Sequence, residues 1–286
     1  MSFEIKNLSY VYQRGTPLET PALENVSFSI GDGEFVGIMG HTGCGKSTLL
    51  HLMAGLLPAP AGTVLIDGED INRKGYDRSI LRRKLGVLFQ FPESQLFEST
   101  VEKDVAFGLK HSGLSTKDIE QRVQWAIETV GLDYSRVKGQ SPLGLSGGEK
   151  RRAAIAGVLA VQPRHLILDE PTVGLDPMGR EALLELLVKL NRDGMTILMV
   201  SHDADSLGEA ARRLLVLHQG HLAADGPIGQ VFADMDAMAD WGLGVSQSRE
   251  AAGLLARKGL EVPQDITSYR QLLPAVLTAL KGGGSP

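Results

Sequence analysis

A chain of 286 residues, 43% of them hydrophobic, has enough apolar material for one large domain or a domain with an appendage, and excludes a disordered or collagen-like polymer. With 29 Lys and Arg against 34 Asp and Glu the net charge is −5, so no global positive charge draws the chain to nucleic acid or anionic lipid. The single cysteine, Cys44, excludes an intrachain disulfide and a cysteine-cluster zinc site and suits a reducing cytoplasm. The opening MSFEIKNLSY lacks a basic head followed by an apolar core, and no run of about 18 apolar residues appears, so neither secretion nor a membrane span is expected.

In chain order, Phe3, Ile5 and Leu8 to Val11 alternate loosely with polar neighbours, TPLETPA interrupts them with prolines, and VSFSI resumes the pattern. This predicts antiparallel strands joined by a turn. EFVGIMG is a short apolar run that ends in glycine and leads into KSTLLHLMAGLL, which reads as strand, loop and helix. Further strands are expected at 63–66, 86–89, 165–169 and 196–200, with helical patterns between the later ones. That alternation predicts the α/β class: a mostly parallel sheet flanked by helices, with a small antiparallel part at the N-terminus. Between the strands at 86–89 and 165–169, VEKDVAFGL, KDIEQRVQWAIETVGL and GEKRRAAIAGVLA predict a helical insertion, placed at about 91–162. After Gly226 the pattern changes to alanine-rich short helices broken by Gly and Pro, and the closing KGGGSP predicts a flexible tail. The expected organisation is therefore a main domain over 1–225 and a helical extension over 226–286.

Residues 40–48, GHTGCGKST, fit G-x-x-x-x-G-K-[ST]. Gly40, His41, Thr42, Gly43, Cys44 and Gly45 form a loop whose backbone N–H groups can turn inward around phosphate oxygens. The helix opening near Lys46 aims its positive end at the same point. Lys46 adds a point charge for the β and γ phosphates, Ser47 offers a hydroxyl to Mg²⁺, and Thr48 follows it into the helix. ATP or GTP is the implied ligand. A helix N-terminus also lowers a thiol pKa, so Cys44 reads either as a redox switch or as a small residue fitting a tight loop.

HLILDEP places Asp169 and Glu170 at the carboxyl end of an apolar strand stopped by Pro171. In a nucleotide hydrolase Asp169 can hold the hydration shell of Mg²⁺, and Glu170 can orient or deprotonate the attacking water. In LSGGE, Ser146 and Glu149 form a capping box, which leaves Gly147 and Gly148 unexplained. Consecutive glycines cost a helix about 1 kcal/mol each unless bare backbone must approach a ligand.

GHTGCGKST, LSGGE, LILDEP, GLDP (174–177) and SHD (201–203) occur in an order and spacing that resembles the nucleotide-binding subunits of ABC transporters, over roughly residues 3–225. The resemblance implies the P-loop NTPase ABC cassette fold, ATP and Mg²⁺ as cofactors, and two cassettes paired head to tail. Ser146, Gly147 and Gly148 of one copy would then close over ATP held by the other. It further implies that Gln90 touches Mg²⁺ and senses the membrane partner, that His202 contacts the γ-phosphate, and that Asp176 couples the two sites. Tyr12, or alternatively Tyr10, would stack on adenine. A narrower resemblance, carried by QFPESQLFESTV (90–101), GTPLETPAL (15–23) and the tail at 250–273, is to the ATPases of energy-coupling factor (ECF) transporters. It implies import of vitamins or transition-metal ions, a second ATPase subunit, a membrane scaffold subunit, a substrate-binding membrane subunit, no nucleic acid partner, and a peripheral position on the cytoplasmic face of the cell membrane. Cys44, where serine is usual, and GLGVSQ (242–247), without the usual proline, depart from that subgroup.

Overall fold

The computed structural model describes residues 2–282; the end of the KGGGSP tail, from Gly283 on, lies outside the described residues. The chain forms two compact units, one made of the segment up to Tyr76 together with that from Thr196 onward, the other of Asp77–Met195.

The first unit opens with β1 (Phe3–Tyr12) and β2 (Thr20–Ile30), followed by β3 (Phe35–Met39), α1 (Lys46–Met53), β4 (Ala61–Ile66) and β5 (Glu69–Asp70). β1 pairs antiparallel with β2 and β4, giving a sheet in the order β2-β1-β4-β5. Its inward face carries Phe3, Ile5, Leu8, Val26, Phe28, Val64 and Ile66. The proline-bearing interruption is shorter than the sequence predicts: Thr20 to Ala22 already belong to β2, with Pro21 opposite Val11. β2 lies at the edge of the hydrogen-bonded order, where a residue without an N–H costs the ladder little.

The second unit contains α2 (Arg78–Lys84), β6 (Leu85–Leu88), a 3-10 turn at Pro92–Gln95, α3 (Val101–Val105), α4 (Thr116–Thr129), α5 (Tyr134–Val137), α6 (Gly147–Ala160), β7 (His165–Asp169) and α7 (Pro177–Arg192). β6 and β7 pair in parallel from Leu85↔His165 to Leu88↔Leu168. α6 packs on α3 and α4, burying Ala153, Ile155, Ala156 and Leu159 along with Val101, Val105, Val123 and Ile127. Side-chain caps fix where these helices begin: Thr100 on α3, Ser115 on α4, Asp133 on α5, Ser146 on α6 and Asp176 on α7.

The chain returns to the first unit with β8 (Thr196–Val200), α8 (Ala204–Ala210), β9 (Arg213–His218), β10 (His221–Pro227), α9 (Ile228–Ala233), α10 (Met235–Asp240), α11 (Gln247–Arg257) and α12 (Tyr269–Gly282). β3 is flanked by β8 and β9, parallel to both, and β10 adds antiparallel to β9. The sequence pattern predicts no strand after 200. β9 carries no readable period because Leu214 to Leu217 are all buried and show no alternation. The hairpin signal was the dipeptide Gln219-Gly220, both at positive φ (48° and 81°), as a two-residue primed turn requires.

Beyond β10 the helices form a small core of their own around Ala252, Val262 and Ile266. It is tied to α8: Thr267 Oγ1 donates to Gly208 O at 2.9 Å, and a Cβ on Gly208 would lie 2.2 Å from Thr267 O. Among the described residues no helix is long and apolar enough to cross a membrane.

Candidate active site

In the first unit the phosphate loop is built by close backbone approach. All five residues of β3 are buried, which fixes the point at which Gly40 leaves the sheet. A Cβ on Gly40 would lie 2.4 Å from Leu217 O, and one on Gly45, at φ 107°, would lie 2.4 Å from Ala22 O. Neither position admits a side chain without displacing backbone. The loop is further closed by Cys44 N donating to His41 O (3.2 Å) and by Gly220 N donating to Cys44 O (3.1 Å). Cys44 itself is buried, and Lys46 Nζ lies 3.9 Å from its Sγ.

α1 starts on Gly45 with no side-chain cap and no acidic residue in its first turn, so its positive end is unanswered by any local carboxylate. Lys46 folds back over the loop, Nζ donating to Gly40 O at 2.6 Å and to His41 O at 3.0 Å. The ammonium is thus held over the loop beside an uncapped helix start, a combination suited to an anion of high charge density. Ser47 and Thr48 occupy the same first turn. Thr48 is buried, and its Oγ1 lies 3.1 Å from the Tyr12 hydroxyl. Tyr12 therefore stands beside the helix start, with Tyr10 edge-on to it at 4.9 Å between ring centres.

His202 reaches the same neighbourhood through sheet register. β8 runs parallel to β3 from Phe35↔Ile197 to Ile38↔Val200, and Ser201 N donates to Ile38 O at 3.1 Å. His202 thus leaves the sheet at the level of the loop. Asp203 then caps α8 through the N–H groups of Asp205 and Ser206, which fixes the backbone just after the imidazole.

In the second unit Asp169 ends β7, and Glu170 adopts a left-handed backbone (φ 49°) before Pro171. A non-glycine residue held there stores backbone strain of about 1 kcal/mol, a recurrent property of reactive sites. Val173 N donates to Glu170 O at 3.3 Å, closing the turn. Gln90 is exposed two residues beyond β6, followed by Phe91 at φ 55°, which opens the turn Pro92–Gln95.

Ser146, Gly147 and Gly148 are exposed at the start of α6, and apart from chain neighbours and the helix's own backbone no described residue comes within 4 Å of a Cβ built on either glycine. Ser146 accepts from Glu149 N, and Glu149 accepts from Ser146 N, completing the capping box. The Ser146 N–H bond, then the Arg136 guanidinium and the Ser146 hydroxyl, hold the Glu149 carboxyl down at about 2. Asp176 is exposed and caps α7, accepting from Gly179 N at 2.8 Å.

One residue that no sequence motif marks is buried in this second unit. Arg151 is 4% exposed on α6 and is hydrogen-bonded to Glu93, Pro171 and Val173. The only signal in the sequence was a cation sharing a helix face with Ile155 and Leu159.

A family model described as ABC transporter matches residues 23–173. A relative in Clostridium perfringens (strain 13 / Type A), named Energy-coupling factor transporter ATP-binding protein EcfA2, is 44% identical over 282 residues, which cover 98% of this chain and 99% of that one. A protein of the same name in Symbiobacterium thermophilum is 44% identical over 99% of this chain and 98% of its own. Among solved structures, cbiO1 from Clostridium perfringens, described as part of the ABC transporter complex cbiONQ, superposes with a TM-score of 0.74 at 35% identity, over 90% of this chain and 96% of that one. The cassette MJ0796, solved as a dimer in a post-hydrolysis state bound to ADP and Pi, gives 0.70 at 32% identity over 79% of this chain and 98% of its own. The chain belongs to the ABC transporter family of ATPases, among the energy-coupling factor transporter ATP-binding proteins.

Proposed function

We propose that this chain hydrolyses ATP in a head-to-tail pair of cassettes on the cytoplasmic face of the cell membrane, and that the pair drives uptake of vitamins or transition-metal ions through a membrane scaffold subunit and a substrate-binding membrane subunit. The observation that carries this reading is that the chain holds two complementary half-sites. One is an uncapped phosphate loop with Lys46 folded over it. The other is an exposed Ser146–Gly148 stretch whose glycines no neighbour in the chain requires. Bare backbone at a helix start is what a second molecule needs in order to approach phosphate closely. The names carried by the relatives and the cbiONQ description of a structural neighbour support a multisubunit membrane assembly.

In this reading the N–H groups of Gly43 to Thr48 and the Lys46 ammonium bind the phosphates, and Tyr12 stacks on adenine. His202 contacts the γ-phosphate, and Glu170 orients the attacking water and takes its proton. The hydroxyl of Ser47, the carboxylate of Asp169 and the amide oxygen of Gln90 are hard oxygen donors of the kind Mg²⁺ accepts. When bound, the ion would neutralise charge on the β and γ phosphates. Asp176 links the two sites of the pair. The partner cassette is either a copy or a paralogue, and the extension after 226 helps hold the pair together. ATP shifts the pair from open to closed only through its unequal affinity for the two states, and hydrolysis removes that preference. The membrane partner sits near Gln90 to Phe97, where Phe91 and Phe97 are 47% and 65% exposed.

Glu170→Gln is expected to keep ATP binding and to lower turnover by at least about 100-fold, read as phosphate release alongside nucleotide titration. Hydrolysis at the parent rate sinks the assignment of the base.

A further inference from the structure

Arg151 lies five residues beyond Ser146, on the buried face of α6 that also carries Ile155 and Leu159. A guanidinium is kept out of water only where its donors are met. Here Nε and Nη1 are met by two segments remote in sequence. Nε donates to Glu93 Oε2 at 3.2 Å, in the turn Pro92–Gln95 just after Gln90. Nη1 is shared between Pro171 O at 3.4 Å and Val173 O at 2.7 Å, the carbonyls that follow Glu170. One planar group therefore touches the glutamine loop and the turn of the hydrolytic carboxylate from the helix that begins with Ser146–Gly148. Glu170 itself is in a left-handed conformation, with its carbonyl bound to Val173 N. Its placement thus depends on a turn whose outer carbonyls Arg151 holds.

We propose that Arg151 is a positioning residue for hydrolysis: its rigid fork fixes the Glu170–Val173 turn against α6 and transmits displacement of the Glu93 turn to it. This rests on the ATPase reading above. The geometry of the fork matters beyond its charge, because a lysine at the same place has a flexible ammonium and lacks the planar arrangement that meets all three acceptors. Glu93 is the accessible end of the clasp, its side chain 29% exposed against 5% for that of Arg151. A membrane partner at the glutamine loop would push on this end.

The test uses the membrane assembly captured through a tag on this chain, with turnover measured against ATP concentration. Arg151→Lys is expected to lower kcat about tenfold while KM for ATP stays within about twofold, because the phosphate loop is untouched. Glu93→Gln, a near-isosteric change at the half-exposed end, guards against misfolding and is expected to lower kcat several-fold with KM unchanged. The double variant should be no slower than Arg151→Lys alone, since both break one linkage. Parent kcat in both single variants, a loss confined to KM, or effects that multiply independently overturns the proposal. No ATP turnover in the parent assembly overturns the ATPase reading, and turnover that survives Glu170→Gln overturns Glu170 as the base, the clasp falling with either, whereas loss of turnover in Glu170→Gln beside parent rates in the Arg151 and Glu93 variants removes the clasp alone.

Discussion

Glycines in this molecule are required for two different reasons, and the difference can be measured. At Gly40 and Gly45 the requirement is internal: a Cβ would meet backbone oxygen at 2.4 Å in each case, and Gly45 also has φ 107°. At Gly147 and Gly148 the proposed requirement is external, since neither has a positive φ and a Cβ on either would stand in open space. Alanine is the better helix former by about 1 kcal/mol. Gly148→Ala is therefore expected to raise stability towards chemical denaturation by up to about 1 kcal/mol while lowering ATP turnover of the assembled pair at least about tenfold. Opposite signs on stability and turnover are what a residue contacting a second molecule produces. If turnover is retained alongside the added stability, the stretch does not approach phosphate and the head-to-tail arrangement loses its support.

At the scale of an element, α6 shows how one helix start serves both folding and function. Its capping box places Glu149 between the Ser146 N–H, the Ser146 hydroxyl and the Arg136 guanidinium, which pulls the carboxyl from its ordinary value near 4.5 to about 2. A carboxyl whose pKa falls on folding contributes its full stabilisation above about 4.5, loses it progressively as the pH drops, and contributes none below about 2. In urea melts across that window, the stability gap between the parent and Glu149→Gln should be widest at neutral pH and should close as the pH approaches 2. A gap independent of pH would mean that the carboxylate charge is not what the helix start uses. This box was legible in the sequence because its partners, Ser146 and Glu149, are three residues apart; the loop glycines and the adjacent carboxylates that end β7 were legible too, because their positions follow from local spacing. The β9–β10 hairpin was not, because a strand buried on both faces has no period to read. Nor was Arg151: its partners lie 58, 20 and 22 residues away, and only the packed unit brings them together.

For the whole molecule, the informative feature is what the chain leaves uncovered at its C-terminal end. The sequence pattern places a boundary at 226, inside β10, yet the helices that follow are bonded into the first unit. Gln247 N donates to Asp205 Oδ1, Tyr269 N to Glu209 Oε1, and Thr267 Oγ1 to Gly208 O. All three acceptors lie on α8, the helix that begins two residues after His202, so the extension buttresses an element next to the phosphate loop strand. α12 then presents apolar residues on two sides. Leu272, Ala275, Val276 and Ala279 face the local core, while Leu273, Leu277 and Leu280 stay 45%, 49% and 60% exposed at i, i+4 and i+7. A helix apolar on both sides is normally covered on both, and under the proposed role of the extension in pairing this stripe would lie against the second ATPase subunit. Leu277→Glu is expected to weaken pairing of the ATPase subunits at least about tenfold, seen as a shift towards the monomer in sedimentation. Nucleotide binding by the chain should be unchanged, since α12 contributes nothing to the phosphate loop. Pairing at the parent affinity in Leu277→Glu would place the contact between cassettes elsewhere, on the Ser146 and Asp176 surface alone.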